Sequence, residues 1–116
     1  MFFKKKNEID FEVTKTCHIL QYDKNHNLIR YKNGLKTTII PVEDIDKYTL
    51  SYEDGYVTEG KYTKKYVKNV WIRITTKSNK LYPIPVFIFK TLEGESATRC
   101  IKSAEEMIKF LDEVIS

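Results

Sequence analysis

Apolar and polar residues alternate along most of the chain with the period of two that is typical of half-buried β-strands. The pattern is clearest over residues 70–77, where Val70, Ile72 and Ile74 fall on one face and polar or aromatic residues fall on the other. This segment is therefore predicted to be a strand. The same reasoning predicts further strands over residues 9–19, 28–32, 35–40, 48–52 and 80–89.

Turn-forming residues separate these strands. Asn33-Gly34 predicts a two-residue hairpin, because both residues tolerate a positive φ. Residues 42–45 predict a short turn or a single helical turn that places Ile45 in the core. Residues 56–69 alternate tyrosine with lysine around Gly60, and they predict either a mobile loop or the tip of an extended hairpin. Further turns are predicted at residues 23–27, 54–55 and 78–79.

Two prolines mark a sheet edge. Pro83 and Pro85 have the same parity in the strand predicted over residues 80–89, so both missing N–H groups point to one side. That side cannot pair fully with another strand, and the first half of this strand is predicted to be an edge.

The period changes to threes and fours near the C-terminus, which predicts one amphipathic helix. Ser96 and Ser103 are both possible start signals, and the sequence leaves the choice between them open. The predicted apolar stripe consists of Ala97, Cys100, Ile101, Ala104, Met107, Ile108, Leu111, Val114 and Ile115.

The composition is that of one globular domain. The chain has 116 residues, of which 41% are hydrophobic and 31% charged, a balance that supports a core at this length. We expect a flexible N-terminus over residues 1–8 and a single domain over residues 9–116. The sequence predicts neither a signal peptide nor a transmembrane segment, which makes a cytoplasmic location the expectation. Cys17 and Cys100 are predicted to be reduced and buried.

Charge is unevenly distributed along the chain. The formal net charge is +4, yet residues 60–92 carry eight basic groups and no Asp or Glu. Lysines interleaved with aromatic residues are typical of surfaces that bind single-stranded nucleic acid. An acidic protein, an anionic membrane or simple solubilisation would suit the same residues. The candidate partner-binding residues are Lys61, Tyr62, Lys64, Lys65, Tyr66, Lys68, Trp71 and Arg73.

Antiparallel strands followed by one C-terminal helix predict an α+β fold: a strongly curved antiparallel sheet or partly open barrel of six to seven strands with a terminal amphipathic helix. This order resembles the small bacterial pleckstrin-homology-like (PH-like) domains. The segments that carry the resemblance are residues 28–31, 38–45 (with its I-P-x-x-D-I step), 71–75 and 104–111.

The resemblance implies a binding scaffold without shared chemistry. Phosphoinositide-binding members use basic residues of the first hairpin, and the nearest counterparts here are Lys24, Arg30 and Lys32. The series ends in lysine where the family pattern has arginine, which argues against inositol phosphate binding.

No constellation for catalysis emerges from the sequence, and we expect no enzyme activity, cofactor or metal. Strand alternation places Cys17 and His18 on opposite faces, so they cannot pair as nucleophile and base. Glu43, Asp44 and Asp46 are the densest acidic cluster, but they lack the spacing of a cation-binding loop.

The favoured hypothesis is a noncatalytic module that binds a protein or peptide. The alternatives are a nucleic-acid or anionic-membrane binder that uses residues 61–80, and a small inhibitor protein of phage or bacterial origin, which the Lys-, Asn- and Tyr-rich composition suggests.

Overall fold

Two antiparallel sheets and one C-terminal helix make up the computed structural model, which describes residues 11–115. The first sheet has the order β1-β2-β3-β4 and the second has the order β5-β6-β7. The coarse prediction of an α+β fold with a terminal helix is confirmed. Within the described residues no ladder joins the two sheets, so the barrel is not closed. The elements are β1 Lys15–Cys17, β2 Leu20–Asp23, β3 Leu28–Asn33, β4 Lys36–Pro41, a 3-10 helix Val42–Asp44, β5 Ile45–Glu59, β6 Tyr62–Thr76, β7 Leu81–Glu93 and α1 Glu95–Ile115.

The strand predicted over residues 9–19 is wrong over most of its described length. The described part is a strand only at β1, because the chain reverses at residues 18–19 and Cys17 pairs with Leu20. His18 has a φ of 54°, which places it in a tight turn and not on a strand face. The remaining predictions for the N-terminus, a flexible segment 1–8 and a strand that begins near Ile9, fall on residues outside the described range.

The β3–β4 hairpin is confirmed, with its turn one residue later than predicted. Asn33 pairs with Lys36, so the two turn residues are Gly34 and Leu35. Gly34 has a φ of 66°. Glycine at the first turn position is the requirement of a type II′ turn, which matches the twist of the flanking strands. The next connection also follows the prediction, since Val42–Asp44 is a 3-10 turn and Ile45 is buried.

A long hairpin of β5 and β6 dominates the second sheet. Glu59 pairs with Tyr62 across a turn at Gly60 and Lys61, so residues 56–69 form an extended hairpin tip and not a loop. The turn predicted at residues 54–55 is wrong, because both residues pair within the ladder. The radius of gyration of 17.0 Å exceeds the roughly 13 Å of a compact domain of about 100 residues. The hairpin therefore projects from the rest of the molecule.

Strand β7 is an edge, as the prolines predict. Among the described residues it pairs only with β6, with Pro83 opposite Arg73 and Pro85 opposite Trp71. The other side of β7 therefore has no strand partner within the described residues. β7 extends to Glu93, past the predicted end at residue 89.

Helix α1 covers the inner faces of the sheets. It begins directly after Gly94, whose carbonyl accepts a hydrogen bond from the Thr98 N–H at 3.2 Å, so the start near Ser96 is confirmed and the start near Ser103 is wrong. Its buried stripe adds Phe110 to the predicted set. Each buried Ile, Leu or Met side chain contributes about 1.5–3 kcal/mol to the folded state. The fully buried members of the main core are Leu20, Ile29, Ile40, Ile72, Ile74, Ile84, Met107 and Leu111.

Among residues 11–115, no helix has the length and apolar character that a membrane span requires.

Candidate functional site

Strand β6 presents six of the eight predicted partner-binding residues on one face, which we call the outer face. Side chains alternate along a strand, and the bulge at Asn69, with its φ of 52°, shifts the alternation by one residue. The shift keeps Val67 and Val70 both buried against α1. The residues of β6 that share the outer face are Tyr62, Lys64, Tyr66, Lys68, Trp71 and Arg73.

The other two predicted residues lie elsewhere. Lys61 is in the turn at the tip of the hairpin, and Lys65 has the inner-face parity of Val67. The structure therefore brings together most of the predicted set, and alternation plus one bulge is the physical reason.

The Tyr66 side chain packs against the β5–β6 hairpin itself. It pairs with Gly55 across the ladder, and a Cβ atom added at Gly55 would lie 2.8 Å from Tyr66 Cε2. The ring thus lies over the bare glycine backbone. This packing explains why Gly55 sits inside a strand, and it reduces the surface that Tyr66 offers to a ligand.

Acidic residues of neighbouring strands interrupt the positive charge of this face. Lys68 Nζ lies 3.9 Å from Glu53 Oε1, and Asn69 Nδ2 donates to Glu53 Oε2 at 2.6 Å. Glu59 and Glu93 stand directly opposite Tyr62 and Tyr66. The basic block in the sequence therefore becomes a face of mixed charge at the projecting end of the hairpin.

The part of the outer face that contains Trp71 and Arg73 differs from the projecting end in its charge. Trp71 lies between Ser51 and Pro85, and Arg73 lies between Thr49 and Pro83. No carboxylate stands opposite either side chain in these ladders. Trp71 is half-buried and Arg73 is exposed, so an aromatic side chain and a cation are presented together here.

A second candidate, which the sequence did not reveal, is a cleft of about 560 Å³ between α1, β7 and the β1–β2 turn. We call it the helix cleft. His18 Nε2 and Glu106 Oε1 are 2.9 Å apart and join the turn to the helix across 88 positions of sequence. Apolar and polar residues line it in nearly equal measure: His18, Ile19, Val86, Phe87, Leu92, Ser96, Arg99, Cys100, Ser103 and Met107.

The sequence does not reveal the helix cleft because its walls are distant in the chain and because alternation over residues 9–19 predicts a strand where the β1–β2 turn lies. One signal was present. Ser96 and Ser103 interrupt the buried side of the helix, and both line the cleft.

Neither cysteine is prepared for nucleophilic chemistry. Both thiols are free and half-buried. Burial raises the pKa of Cys100, and burial together with the nearby Glu106 and Glu113 carboxylates raises the pKa of Cys17. A raised pKa keeps a thiol protonated and unreactive at neutral pH.

The acidic cluster at Glu43, Asp44 and Asp46 lies on the 3-10 turn and the start of β5. Within the described range, no three His, Cys, Asp or Glu side chains converge closely enough to hold a metal ion.

Comparison with known proteins found no matching family model, no matching curated protein and no matching solved structure. Interpretation of this chain consequently depends on its own residues.

Proposed function

We propose that this chain is a noncatalytic interaction module, which binds a protein or peptide partner in the helix cleft beside the edge of β7. The observation that carries the proposal is the position of a cleft with both apolar and polar walls directly at a strand edge that no other described strand pairs with. Edge backbone can hydrogen-bond to an extended segment, and an adjacent cleft can accept its side chains.

The lining of the cleft suits such a partner. Ile19 is 39% exposed at one wall, and Phe87 and Leu92 of β7 contribute apolar surface at another. Arg99 and Ser103 of α1 offer hydrogen bonds beside them. The volume of about 560 Å³ falls within the roughly 300–1,000 Å³ of many ligand sites.

The PH-like resemblance remains a proposal that agrees with this function. Antiparallel strands followed by one C-terminal helix are the order that the resemblance implies. A cytoplasmic binding scaffold is the role we propose from it.

A display library of random twelve-residue peptides, selected on the purified protein, tests the proposal. We expect enriched peptides whose binding is lost in Ile19→Asp, because a carboxylate on an apolar wall of the cleft removes its complementarity. Val13→Asp is the matched control, since Val13 is 46% exposed and does not line the cleft. Circular dichroism checks that both variants fold. An empty selection, or enriched peptides that bind both variants equally, would contradict the proposal.

A nucleic-acid or anionic-membrane function is the second candidate, and the shared outer face of β6 favours it. Trp71 and Arg73 could engage a base and a phosphate. The carboxylates of Glu53, Glu59 and Glu93 near the projecting end count against it.

Fluorescence anisotropy with a single-stranded DNA oligonucleotide tests this candidate. Affinity should fall steeply with salt and should fall again in Arg73→Glu, whereas Lys102→Glu on the exposed side of α1 should change it little. Binding that is insensitive to salt would exclude this function. Vesicles that contain phosphatidylserine provide the corresponding test for a membrane.

A further inference from the structure

The opposite end of β7 lines another cleft, of about 430 Å³, between the β3–β4 hairpin and the β6–β7 loop. We call it the end cleft. It shares no lining residue with the helix cleft. Its walls are Tyr31, Asn33, Lys36, Thr37, Thr38, Ile39, Lys80, Leu81, Tyr82 and Pro83.

Carboxylates are absent from the end cleft. Residues 32–39 and 77–83, which form its two rims, include no Asp or Glu and four lysines. Lys36 and Lys80 line the cleft itself. Lys77 is exposed on the β6–β7 loop, whereas Lys32 lines a separate depression together with Gln21 and Arg30. In residues 11–115 none of these four lysines forms an ion pair. The charges of Lys36 and Lys80 are therefore available to a partner in the end cleft.

Exposed aliphatic side chains accompany the lysines. Leu35 at the hairpin tip is 106% exposed relative to the reference state, and Leu81 and Ile39 are 50% and 40% exposed. Exposed apolar surface that is rimmed by polar groups is typical of interaction sites. The Lys80 ammonium lies 5.0 Å from the centre of the Tyr82 ring, which holds its charge beside the cleft.

We infer that the end cleft binds an acidic, extended segment of a protein partner, whose carboxylates meet Lys36 and Lys80 while an apolar side chain covers Ile39 and Leu81. The absence of carboxylates from the lining provides the charge complementarity. The assignment is independent of the function proposed for the helix cleft, because a different part of β7 and different partner chemistry carry it.

A protein segment fits better than a nucleic acid or a membrane. Tyr31 is buried and Tyr82 is half-buried, so neither offers an open face for base stacking. The cleft is concave, and Leu35 is the one fully exposed apolar side chain at its rim, whereas stable bilayer binding needs several inserted groups.

The same random peptide library tests the inference. We expect an enriched class of peptides with net negative charge that also contain apolar residues, and we expect their binding to weaken as salt rises. The double variant Lys36→Glu, Lys80→Glu should weaken their binding by about tenfold or more, since two attractive contacts become repulsive. Both lysines are exposed, so the variant should fold. The double variant Lys102→Glu, Lys109→Glu is the matched control, with the same charge change on the exposed side of α1.

The outcomes separate the two sites. Acidic peptides that respond to the Lys36 and Lys80 substitutions but not to Ile19→Asp support the end cleft. If every enriched peptide responds only to Ile19→Asp, the helix cleft stands and the end cleft inference is wrong. The inference also fails if the selection yields no acidic peptide. A third contrary result would be that no peptide depends on Lys36 and Lys80, while the protein binds phosphatidylserine vesicles and Leu35→Ser abolishes that binding.

Discussion

Two hairpin ends with similarly polar sequences behave in opposite ways in this structure. The β2–β3 turn, residues 23–28, is fixed by a buried carboxylate: Asp23 is 0% exposed and accepts hydrogen bonds from the Glu12 and His26 N–H groups at 2.9 and 3.0 Å. The Asp23 carboxylate also meets the His26 ring nitrogen at 2.7 Å. The β5–β6 tip, residues 56–65, has no comparable anchor, and Tyr56 and Tyr62 are each 74% exposed there.

The difference shows that position relative to a covering element, and not polarity, decides whether a polar side chain at a turn is buried. At the β2–β3 turn a second segment lies over the hairpin, since the Lys24 N–H donates to Thr14 Oγ1 at 3.0 Å. Toward the β5–β6 tip, β7 ends before β5 and β6 reach their turn, because the last residue of β7 that pairs with β6 is Glu93, opposite Tyr66. The tip beyond it is a two-stranded ribbon, which is only marginally stable by itself.

Substitution of Asp23 should give the largest effect. Asp23→Asn replaces an oxygen acceptor by an amide donor, so at least one of the donors that face it loses its partner inside the protein. We expect a marked fall in the urea midpoint. Glu59→Gln makes the same chemical change at the exposed tip and should leave the midpoint almost unchanged. Equal effects of the two substitutions would break the contrast between the turns.

Low pH should reduce the difference in unfolding free energy between the wild type and Asp23→Asn. Burial by itself raises the pKa of Asp23. The hydrogen bonds from Glu12 and His26, together with the His26 charge, lower the pKa by more than burial raises it, so that it falls from an ordinary value of 3.8 to about 2. A carboxyl group with a lowered pKa stabilises the folded state above its unfolded pKa and loses that contribution as pH falls through the folded value. The stability gap should therefore narrow as pH falls between about pH 4 and pH 2.

Urea unfolding at several pH values measures this gap. Glu59→Gln should follow the wild type throughout the series. A gap of constant size down to pH 2 would show that the charge of Asp23 contributes nothing to stability.

A smaller effect is expected at Asn69, where the base of the long hairpin meets its tip. Asn69 has a positive φ, and alanine there costs roughly 1–2 kcal/mol. Asn69→Gly accepts this backbone conformation and loses only the hydrogen bond to Glu53. We therefore expect Asn69→Ala to lower the unfolding free energy by about 1 kcal/mol more than Asn69→Gly does. Equal losses for the two substitutions would mean that the hydrogen bond to Glu53, which both remove, and not the backbone conformation, maintains the bulge.

Local patterns predicted much of the fold. The buried face of Val70, Ile72 and Ile74, the hairpin after β3 and the edge at Pro83 follow from neighbours in sequence, and all are present. What the sequence could not predict depends on distant partners. Asp54-Gly55 has the composition of a turn, and only the position of the Tyr66 ring over Gly55 explains why this glycine lies within a strand.

The same limit applied to the candidate sites. Alternation by itself places Lys64, Tyr66 and Lys68 on the face opposite Trp71 and Arg73, and only the bulge at Asn69 brings them together. Nor could alternation show that Glu53 and Glu93 come from the neighbouring strands to stand among them. The helix cleft needs His18 and Glu106 to meet across 88 positions, and no local pattern reports such a contact.

Shortening of the tip should have the smallest effect on stability and separates the proposed functions. Replacement of residues 58–63 by Asn-Gly joins the paired residues Val57 and Lys64 through a favourable two-residue turn. It removes no side chain of the core, so the unfolding free energy should change by no more than about 0.5 kcal/mol. Binding of library peptides to either cleft should persist, because both clefts lie along β7. Loss of peptide binding in a folded shortened chain would instead place the partner surface on the projecting hairpin. A large loss of stability would show that the tip contributes packing contacts to the folded state despite its exposure.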